Sequence, residues 1–436
     1  MRLFLSIILG KLVAAASSLL NLGAGSTWPG HLALKIETNF VKNIFKKNSL
    51  KVIVVAGTNG KTTSTALISH LLRGLGYRVF SNPEGANLMN GVTSALLKTT
   101  DFSGNLDYDF AVLEVDEFTL PLLLKEIVPD AVFILNLFRD QLDRYGEVNT
   151  IGSRWFSSLE TLPKKTFVVV NGDDPYLYFM GKKLHMNVKY FGVDEKLMEL
   201  KNIPHDVDFI YCPSCNTLLN YSRLAYSHLG VFNCGKCGFK RKDVNNFSEN
   251  SINYPMEGLY NVYNTNGILT FFKYFLKADL KKINSLLKKF RPAFGRQELI
   301  EFQKRKIFLL LSKNPAGFNQ SIRTVKSMLK NNTASFLIVL NDRIPDGQDV
   351  SWIWDVDFSI LLSNVKKIFV SGDRVYDMSI RLKYENKTNK IYPVPNLQQA
   401  LTKIIENTRQ GEKFYILATY SGMLEIRKIL LGKKFL

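Results

Sequence analysis

Lys51-Val52-Ile53-Val54-Val55-Ala56 runs directly into Gly57-Thr58-Asn59-Gly60-Lys61-Thr62-Thr63. The first six residues are mostly β-branched and show no polar alternation, which reads as a short parallel strand buried on both faces. A helix follows the glycines, with Leu67, Leu71 and Leu75 on one face. A glycine-rich turn between strand and helix can cradle phosphate. The glycines let backbone N–H groups approach the oxygens, and the helix N-terminus favours an anion. Lys61 is then placed to reach the β/γ-phosphates and Thr62 to hold Mg²⁺. Val55 occupies the first glycine position of the general G-x-x-x-x-G-K-[ST] pattern, so only the shorter G-T-N-G-K-T-T form is present. A plain glycine-rich turn is the competing reading.

Outward from this loop, strand-like runs recur at Phe110–Val115, Ala131–Leu135, Thr166–Val170 and Val188–Phe191, with helical patterns between several of them. That alternation predicts an α/β fold with a parallel sheet. It breaks over residues 204–245, a stretch that holds all four cysteines and reads as a small insertion. A second series begins near residue 300: Lys306–Leu311, Ser335–Leu340, Lys367–Val370, Lys390–Val394 and Lys413–Ala418, with a helix at Leu397–Ile405 among the intervening stretches. The expected organisation is an N-terminal helical segment (1–45), a central nucleotide-binding domain (46–295) carrying the insertion (204–245), and a C-terminal Rossmann-like domain (296–436). The boundary is placed around Arg291-Pro292-Ala293-Phe294-Gly295. There is no internal repeat or low-complexity linker.

The chain has 436 residues, 46% of them hydrophobic and 22% charged, which excludes a disordered polymer. Four cysteines in this length exclude a disulfide scaffold. No uncharged apolar run is long enough for a conventional membrane span. The net charge of +19 suits nucleic acid, an anionic membrane or phosphorylated substrates, and Lys, Asn and Ile bias from an AT-rich genome can produce it too. Arg2, the apolar run Leu3–Leu9 and Ala14-Ala15-Ala16 resemble a short signal peptide. A helix interrupted by Lys11 and ended near Gly23-Ala24-Gly25 is the preferred reading, and the nucleotide loop favours a cytoplasmic protein.

Cys212-Pro213-Ser214-Cys215 and Cys234-Gly235-Lys236-Cys237 form two C-x-x-C knuckles separated by residues 216–233. This spacing predicts a zinc ribbon. Four thiolates close a tetrahedral shell, so Cys212, Cys215, Cys234 and Cys237 would hold a structural Zn²⁺ with no open position for catalysis. Lys236, Lys240, Arg241 and Lys242 would offset the charge of that centre. Two disulfides or free thiols are the alternatives.

The G-T-N-G-K-T-T loop resembles the ATP loop of the Mur ligase family and of folylpolyglutamate synthases. Other motifs of that family follow in order. Glu114 in Leu113-Glu114-Val115-Asp116-Glu117 matches its magnesium-binding glutamate. Asn136 to Arg144 resembles N-x-x-x-D-H-x-D, with Gln141 in place of the histidine, and Asn171-Gly172-Asp173-Asp174-Pro175 resembles N-x-D-D-P. Gly258 to Asn264 matches G-x-[HYF]-N-x-x-N, and Gly295-Arg296 matches the G-R pair. The resemblance implies ATP binding by Gly57 to Thr63, Asn261, Asn264 and Arg296, and Mg²⁺ binding by Thr62 and Glu114.

The C-terminal half departs from ordinary Mur ligases. Where they have D-x-A-H-N-P, this chain has Leu311-Ser312-Lys313-Asn314-Pro315-Ala316-Gly317. It also carries Asp346-Gly347-Gln348-Asp349-Val350-Ser351-Trp352-Ile353-Trp354-Asp355-Val356-Asp357-Phe358. With the cysteine insertion, these segments resemble the MurT family, synthetase subunits of lipid II isoglutaminyl synthases of Gram-positive bacteria. That resemblance implies a heterodimer with a GatD-like glutamine amidotransferase, which supplies ammonia. ATP would activate the α-carboxyl of D-isoglutamate in the lipid II stem peptide, giving D-isoglutamine. It further implies that Asp349 completes the partner's Cys/His pair, a role a carboxylate can fill by orienting a histidine. The plainer reading of Asp349 is a turn or cap residue. Trp352 and Trp354 read as packing or interface anchors. Lipid II at the inner face of the cytoplasmic membrane implies peripheral attachment, and no nucleic-acid partner is expected. Two rival functions are an amino-acid ligase of the Mur or folylpolyglutamate type and a nucleic-acid-binding zinc-ribbon protein.

Overall fold

The computed structural model describes residues 1–19, 27–82, 85–140, 147–200, 203–247, 252–291, 297–330, 332–385 and 390–432. The strand that precedes the glycine loop, β1 (Lys51–Ala56), lies inside a six-stranded sheet. The other strands are β2 (Val79–Ser81), β3 (Phe110–Glu114), β4 (Ala131–Ile134), β5 (Phe167–Asn171) and β6 (Asn187–Phe191). All pairings are parallel, in the order β2-β3-β1-β4-β5-β6. Strand side chains alternate between faces. Val52, Val54 and Ala56 therefore enter one apolar core, while Ile53 and Val55 enter the other. Both faces are covered, which is why the run carries no polar alternation.

From β1 the chain passes toward β2 on one side, and from β3 it crosses to β4 on the other. The C-terminal end of β1 is thus a topological switch point, where a crevice opens in α/β sheets. The glycine loop and the helix Lys61–Gly74 begin there.

A second six-stranded sheet has the order β13-β12-β11-β14-β10-β9. Its strands are β9 (Glu298–Phe302), β10 (Arg305–Leu311), β11 (Ala334–Val339), β12 (Val365–Ser371), β13 (Ile391–Pro393) and β14 (Lys413–Ala418). All five sequence-predicted strands of this half are present and parallel. The antiparallel β9, and β2 in the first sheet, were not anticipated. Between the two sheets lies the insertion, built on an antiparallel hairpin of β7 (Asn220–Tyr226) and β8 (Leu229–Asn233).

At the N-terminus, helices Arg2–Leu19, Trp28–Ile36 and Phe40–Lys47 pack with the helix Met89–Thr99. The third helix runs to Lys47, slightly past the expected limit at residue 45. Gly30 makes the close packing possible. A Cβ there would lie 1.9 Å from the Asn90 carbonyl oxygen, and the Gly30 N–H donates to Ser94 Oγ at 2.8 Å. The expected boundary between the halves, apart from Arg291, lies outside the described residues.

Candidate active site

The glycine loop is fixed by its neighbours. Asn136, at the end of β4, accepts the Asn59 N–H at 2.8 Å and donates its side-chain amide to the Asn59 carbonyl at 2.9 Å. Thr58 Oγ1 accepts the Phe138 N–H at 3.0 Å. Gly60 adopts φ +85, and a Cβ there would stand 2.6 Å from the Asn264 side chain, so only glycine fits without displacement. Asn261 and Asn264 lie on the helix Leu259–Tyr274, both buried. Thus the sequence-predicted Gly57–Thr63 and Asn264 meet in space, and Asn261 lies one turn before Asn264.

Three buried amide atoms around this cleft have no hydrogen-bond partner: Asn261 Oδ1, Asn264 Nδ2 and Gln320 Nε2. An unmet buried polar group costs about 1–3 kcal/mol. Gln320 lines a small cavity with Asn59, Gly60, Thr63, Tyr260 and Gln297. Such a wall, at a helix N-terminus with a glycine approach, fits a nucleotide. Sequence reasoning missed Gln320, which sits inside the helix Pro315–Leu329 and carries no motif signal.

Lys61 is buried and points back into its own loop. Its Nζ donates to the carbonyls of Gly57 at 2.5 Å and Thr58 at 3.0 Å, and pairs with Glu117 at 3.3 Å. Thr62 Oγ1 donates to Glu114 Oε1 at 3.1 Å. The hydroxyl and carboxylate expected for Mg²⁺ therefore stand side by side, an oxygen donor set of the kind Mg²⁺ takes together with substrate phosphates. Asn82 holds Glu114 in place through a reciprocal pair of bonds to its backbone, each 2.9 Å.

The second half closes over this loop. Asn314 caps the helix Pro315–Leu329 by accepting the Gly317 N–H at 2.8 Å. Its amide also exchanges hydrogen bonds with Asn59, at 3.1 and 3.3 Å. The adjacent Lys313 pairs with buried Asp140. Burial pushes the Glu117 carboxyl up, but the Lys61 and Lys313 ammonium groups outweigh it and hold Glu117 below its ordinary value. At Asp140 burial dominates, and with repulsion from Glu117 it keeps that carboxyl raised despite Lys313. Two carboxylates and two ammonium groups from both halves thus form one charged floor. The sequence motifs contain Glu117, Asp140 and Lys313 but did not reveal that they converge.

A Mur ligase middle-domain model matches residues 55–269, and a MurT ligase C-terminal model matches residues 311–423. The MurT subunit of the glutamine-hydrolysing lipid II isoglutaminyl synthase of Streptococcus pneumoniae is 35% identical, over 98% of this chain and 97% of its own. The chain belongs to the MurT family. The Staphylococcus aureus (strain COL) MurT subunit is 29% identical over 93% of both chains. Among solved structures, a pseudomurein peptide ligase type C from Methanothermus fervidus superposes with TM-score 0.67 at 20% identity, covering 90% of this chain and 81% of that one. A Mycobacterium tuberculosis folylpolyglutamate synthase complexed with ADP and AMPPCP gives TM-score 0.63 at 14% identity, covering 96% and 98%. These likenesses establish the Mur ligase fold. As a MurT family member, the chain is a ligase subunit of an ATP-dependent amidotransferase of peptidoglycan biosynthesis.

The four cysteine sulfurs lie within 4.8 Å of one another, with Cys212–Cys237 at 3.6 Å and Cys215–Cys234 at 3.5 Å. A disulfide needs about 2.05 Å, whereas four sulfurs about 2.3 Å from one zinc stand about 3.8 Å apart. The thiols are free, and their arrangement fits a tetrahedral metal site. Each knuckle is closed by its own backbone bonds, Cys212 N–H to Thr217 O and Cys234 N–H to Phe239 O, both 2.7 Å.

The N-G-D-D-P turn anchors this insertion. Asp173 accepts from Arg241 Nε at 2.6 Å and Tyr263 Oη at 2.7 Å. Asp174 caps the helix Pro175–Lys183 and contacts the buried ring of His228 at 3.2 Å.

Asp349 lies in the loop after β11. It is exposed, and its Oδ1 accepts the Ser351 N–H at 2.8 Å. It also lines a cleft with Arg139, Asp140 and Lys313, so it reaches the charged floor from the C-terminal side. Trp352 packs against Phe318 in the core, whereas Trp354 is exposed. Arg296 and Gln141 lie outside the described residues.

Proposed function

We propose that this chain amidates the α-carboxyl of D-isoglutamate in the lipid II stem peptide, using ATP and ammonia released by a GatD-like glutaminase partner. One observation carries the reading: Asn59 of the glycine loop is hydrogen-bonded to Asn314, which lines a cleft together with Lys313 and Asp349 of the MurT-type segment. A carboxylate is a poor acyl donor. A carboxylate oxygen takes the γ-phosphoryl group, the bond to ADP breaks, and an acyl phosphate results. Ammonia then attacks the carbonyl carbon, phosphate leaves and a proton is lost, giving the carboxamide. Lys61 and Lys313 would offset charge on the transferred phosphoryl group. Gly57 to Thr63, Asn261, Asn264, Arg296 and Gln320 would hold ATP. Thr62 and Glu114 would hold Mg²⁺, which supplies further charge neutralisation at the phosphates.

Asp349 would orient the partner's histidine, and the Ser351 N–H fixes the carboxylate for that role. The surroundings of Asp349 suit a partner. Tyr376, Ile380 and Tyr384 recur every fourth residue on the helix Val375–Glu385, and all three are exposed. Trp354 meets Tyr384 edge-on at 5.5 Å, and a groove beside it includes Asp349, Arg374 and Asp377. Aromatic anchors of this type dominate binding energy at interfaces.

Cys212, Cys215, Cys234 and Cys237 would hold a structural Zn²⁺. The halves would divide at residues 295/296, with residues 1–45 as a helical segment and 204–245 as the zinc ribbon. No helix among the described residues is long and apolar enough to cross a membrane, so attachment to the cytoplasmic inner face would be peripheral.

Mass spectrometry of lipid II incubated with the chain, ATP and Mg²⁺ tests the function. One arm contains ammonium alone, the other glutamine and the partner subunit. Conversion of carboxyl to carboxamide is expected in both. Absence of amidation, with transfer of a supplied free amino acid instead, would establish an ordinary Mur-type ligase.

A further inference from the structure

The helix Arg2–Leu19 exposes apolar side chains on the side that a surface helix normally gives to charge. Ser6, Ile7 and Gly10 are buried, and a Cβ on Gly10 would come within 2.7 Å of Leu97, so this side is packed against the bundle. Phe4, Leu5 and Leu12 are nevertheless 54%, 47% and 60% exposed, and Ile8 between them is half-buried. Trp28, on the helix Trp28–Ile36 packed against this one, is 67% exposed.

Basic groups border the same region. Lys11 Nζ donates to the Thr100 carbonyl at 2.7 Å and lies 5.5 Å over the exposed Phe102 ring. Lys47 donates to the carbonyl of Ser103 in the next turn, bringing the basic end of helix Phe40–Lys47 beside Phe102. Arg2, Lys35, Lys42, Lys46 and Lys47 are all exposed. Residues 1–50 contain six basic residues and one acidic residue, Glu37, a net +5.

We propose that this face seats the protein on an anionic lipid bilayer. Phe4, Leu5, Leu12 and Trp28 enter the headgroup–acyl boundary, and the flanking lysines meet lipid phosphates. Interfacial helices combine buried apolar area with basic flanks in this way, and Trp favours the membrane interface. A second copy carries the same +19 charge and would be repelled. The exposed aromatic face beside Asp349 belongs to the other half, leaving this one to another partner. Only the choice of the inner leaflet rests on the function proposed above; lipid binding itself requires no catalysis.

The test uses the full chain, alone and with its glutaminase subunit. Co-sedimentation is measured with vesicles of phosphatidylglycerol and phosphatidylethanolamine, and with vesicles of phosphatidylcholine alone. Binding to the anionic vesicles, weakened by salt, is expected. The double substitution Phe4→Ser, Leu12→Glu should reduce partition at least about tenfold, since each charge at the surface is worth about fivefold. Its thermal melting and its amidation of a water-soluble, short-chain lipid II analogue should match the parent. Equal binding to neutral vesicles, or undiminished binding by the double variant, would overturn the proposal. So would loss of the glutaminase subunit, or of self-association, in place of lipid binding. Failure of the parent to amidate the soluble analogue would instead overturn the functional reading and leave the vesicle result intact.

Discussion

The two readings of Asp349, turn cap and partner of a histidine, are compatible in one carboxylate. Its Oδ1 accepts the Ser351 N–H, the turn-cap role, and its exposed position beside Trp354 suits contact with a partner. If it orients a histidine of the glutaminase, Asp349→Asn should reduce glutamine-driven amidation by up to about 10⁴-fold, as the same change in a triad carboxylate does elsewhere. Ammonium-driven amidation should stay within about twofold, because asparagine retains an acceptor for Ser351 and so keeps the loop. Parallel rate measurements with the two nitrogen sources check this. An equal fall in both would place Asp349 in the synthetase reaction or in the fold. The glycine loop was legible at this scale because its residues are adjacent in sequence. The Lys313–Asp140 pair was not, because 173 residues separate the partners. Nor was Gln320, whose significance lies in a buried amide left without a partner.

Most strands of the two sheets were readable as elements because uninterrupted β-branched and aromatic runs have few other uses, but the three-residue β2 was too short to show one. The β9–β10 hairpin was not readable either. Its turn residues, Gln303 and Lys304, have φ +47 and +59, yet neither is Gly or Asn. Hairpin signals in sequence rest on those two residue types, so this turn gave none. Left-handed backbone costs an ordinary residue about 1–2 kcal/mol. Gln303→Asn with Lys304→Gly should therefore stabilise the protein by about 1 kcal/mol, after allowing for the greater unfolded-chain entropy of glycine. A higher urea midpoint at unchanged slope would show it; an unchanged or lower midpoint would mean that the turn is relieved by other contacts.

The cysteine insertion was legible for a different reason, since C-x-x-C spacing reflects metal geometry. Its hold on the main sheet, through Arg241 to Asp173 and His228 to Asp174, was not. One zinc per chain is expected by elemental analysis. Cys234→Ser should lose the metal and destabilise the protein by about 2 kcal/mol or more, because the shared metal ties the two knuckles together and Cys234 is buried in the cluster with Tyr178, Leu219 and Phe232. Unchanged melting in a metal-free chain would refute the structural role.

The candidate site lies between the two sheets and draws residues from both halves. Arg139 joins the insertion to the second half, reaching Asp208 at 2.6 Å and Asp355 at 3.2 Å, while Asn59 and Asn314 clasp directly across the cleft. The cavity between the glycine loop and the helix Pro315–Leu329 holds only about 60 Å³ of open space. Pockets for small ligands measure roughly 300–1,000 Å³. If ATP binds here, the halves should move apart and the Asn59–Asn314 clasp should open. A nucleotide bound here would supply partners for amides from both sides, Asn264 and Gln320, that now have none. Binding should consequently order the two halves together. In hydrogen-exchange mass spectrometry, a non-hydrolysable ATP analogue with Mg²⁺ should slow exchange at residues 57–63 and at 313–321 with the same concentration dependence. Protection confined to 57–63 would mean that the second half does not close on the nucleotide, and that Lys313 reaches the reaction only after the peptide substrate or the partner has arrived.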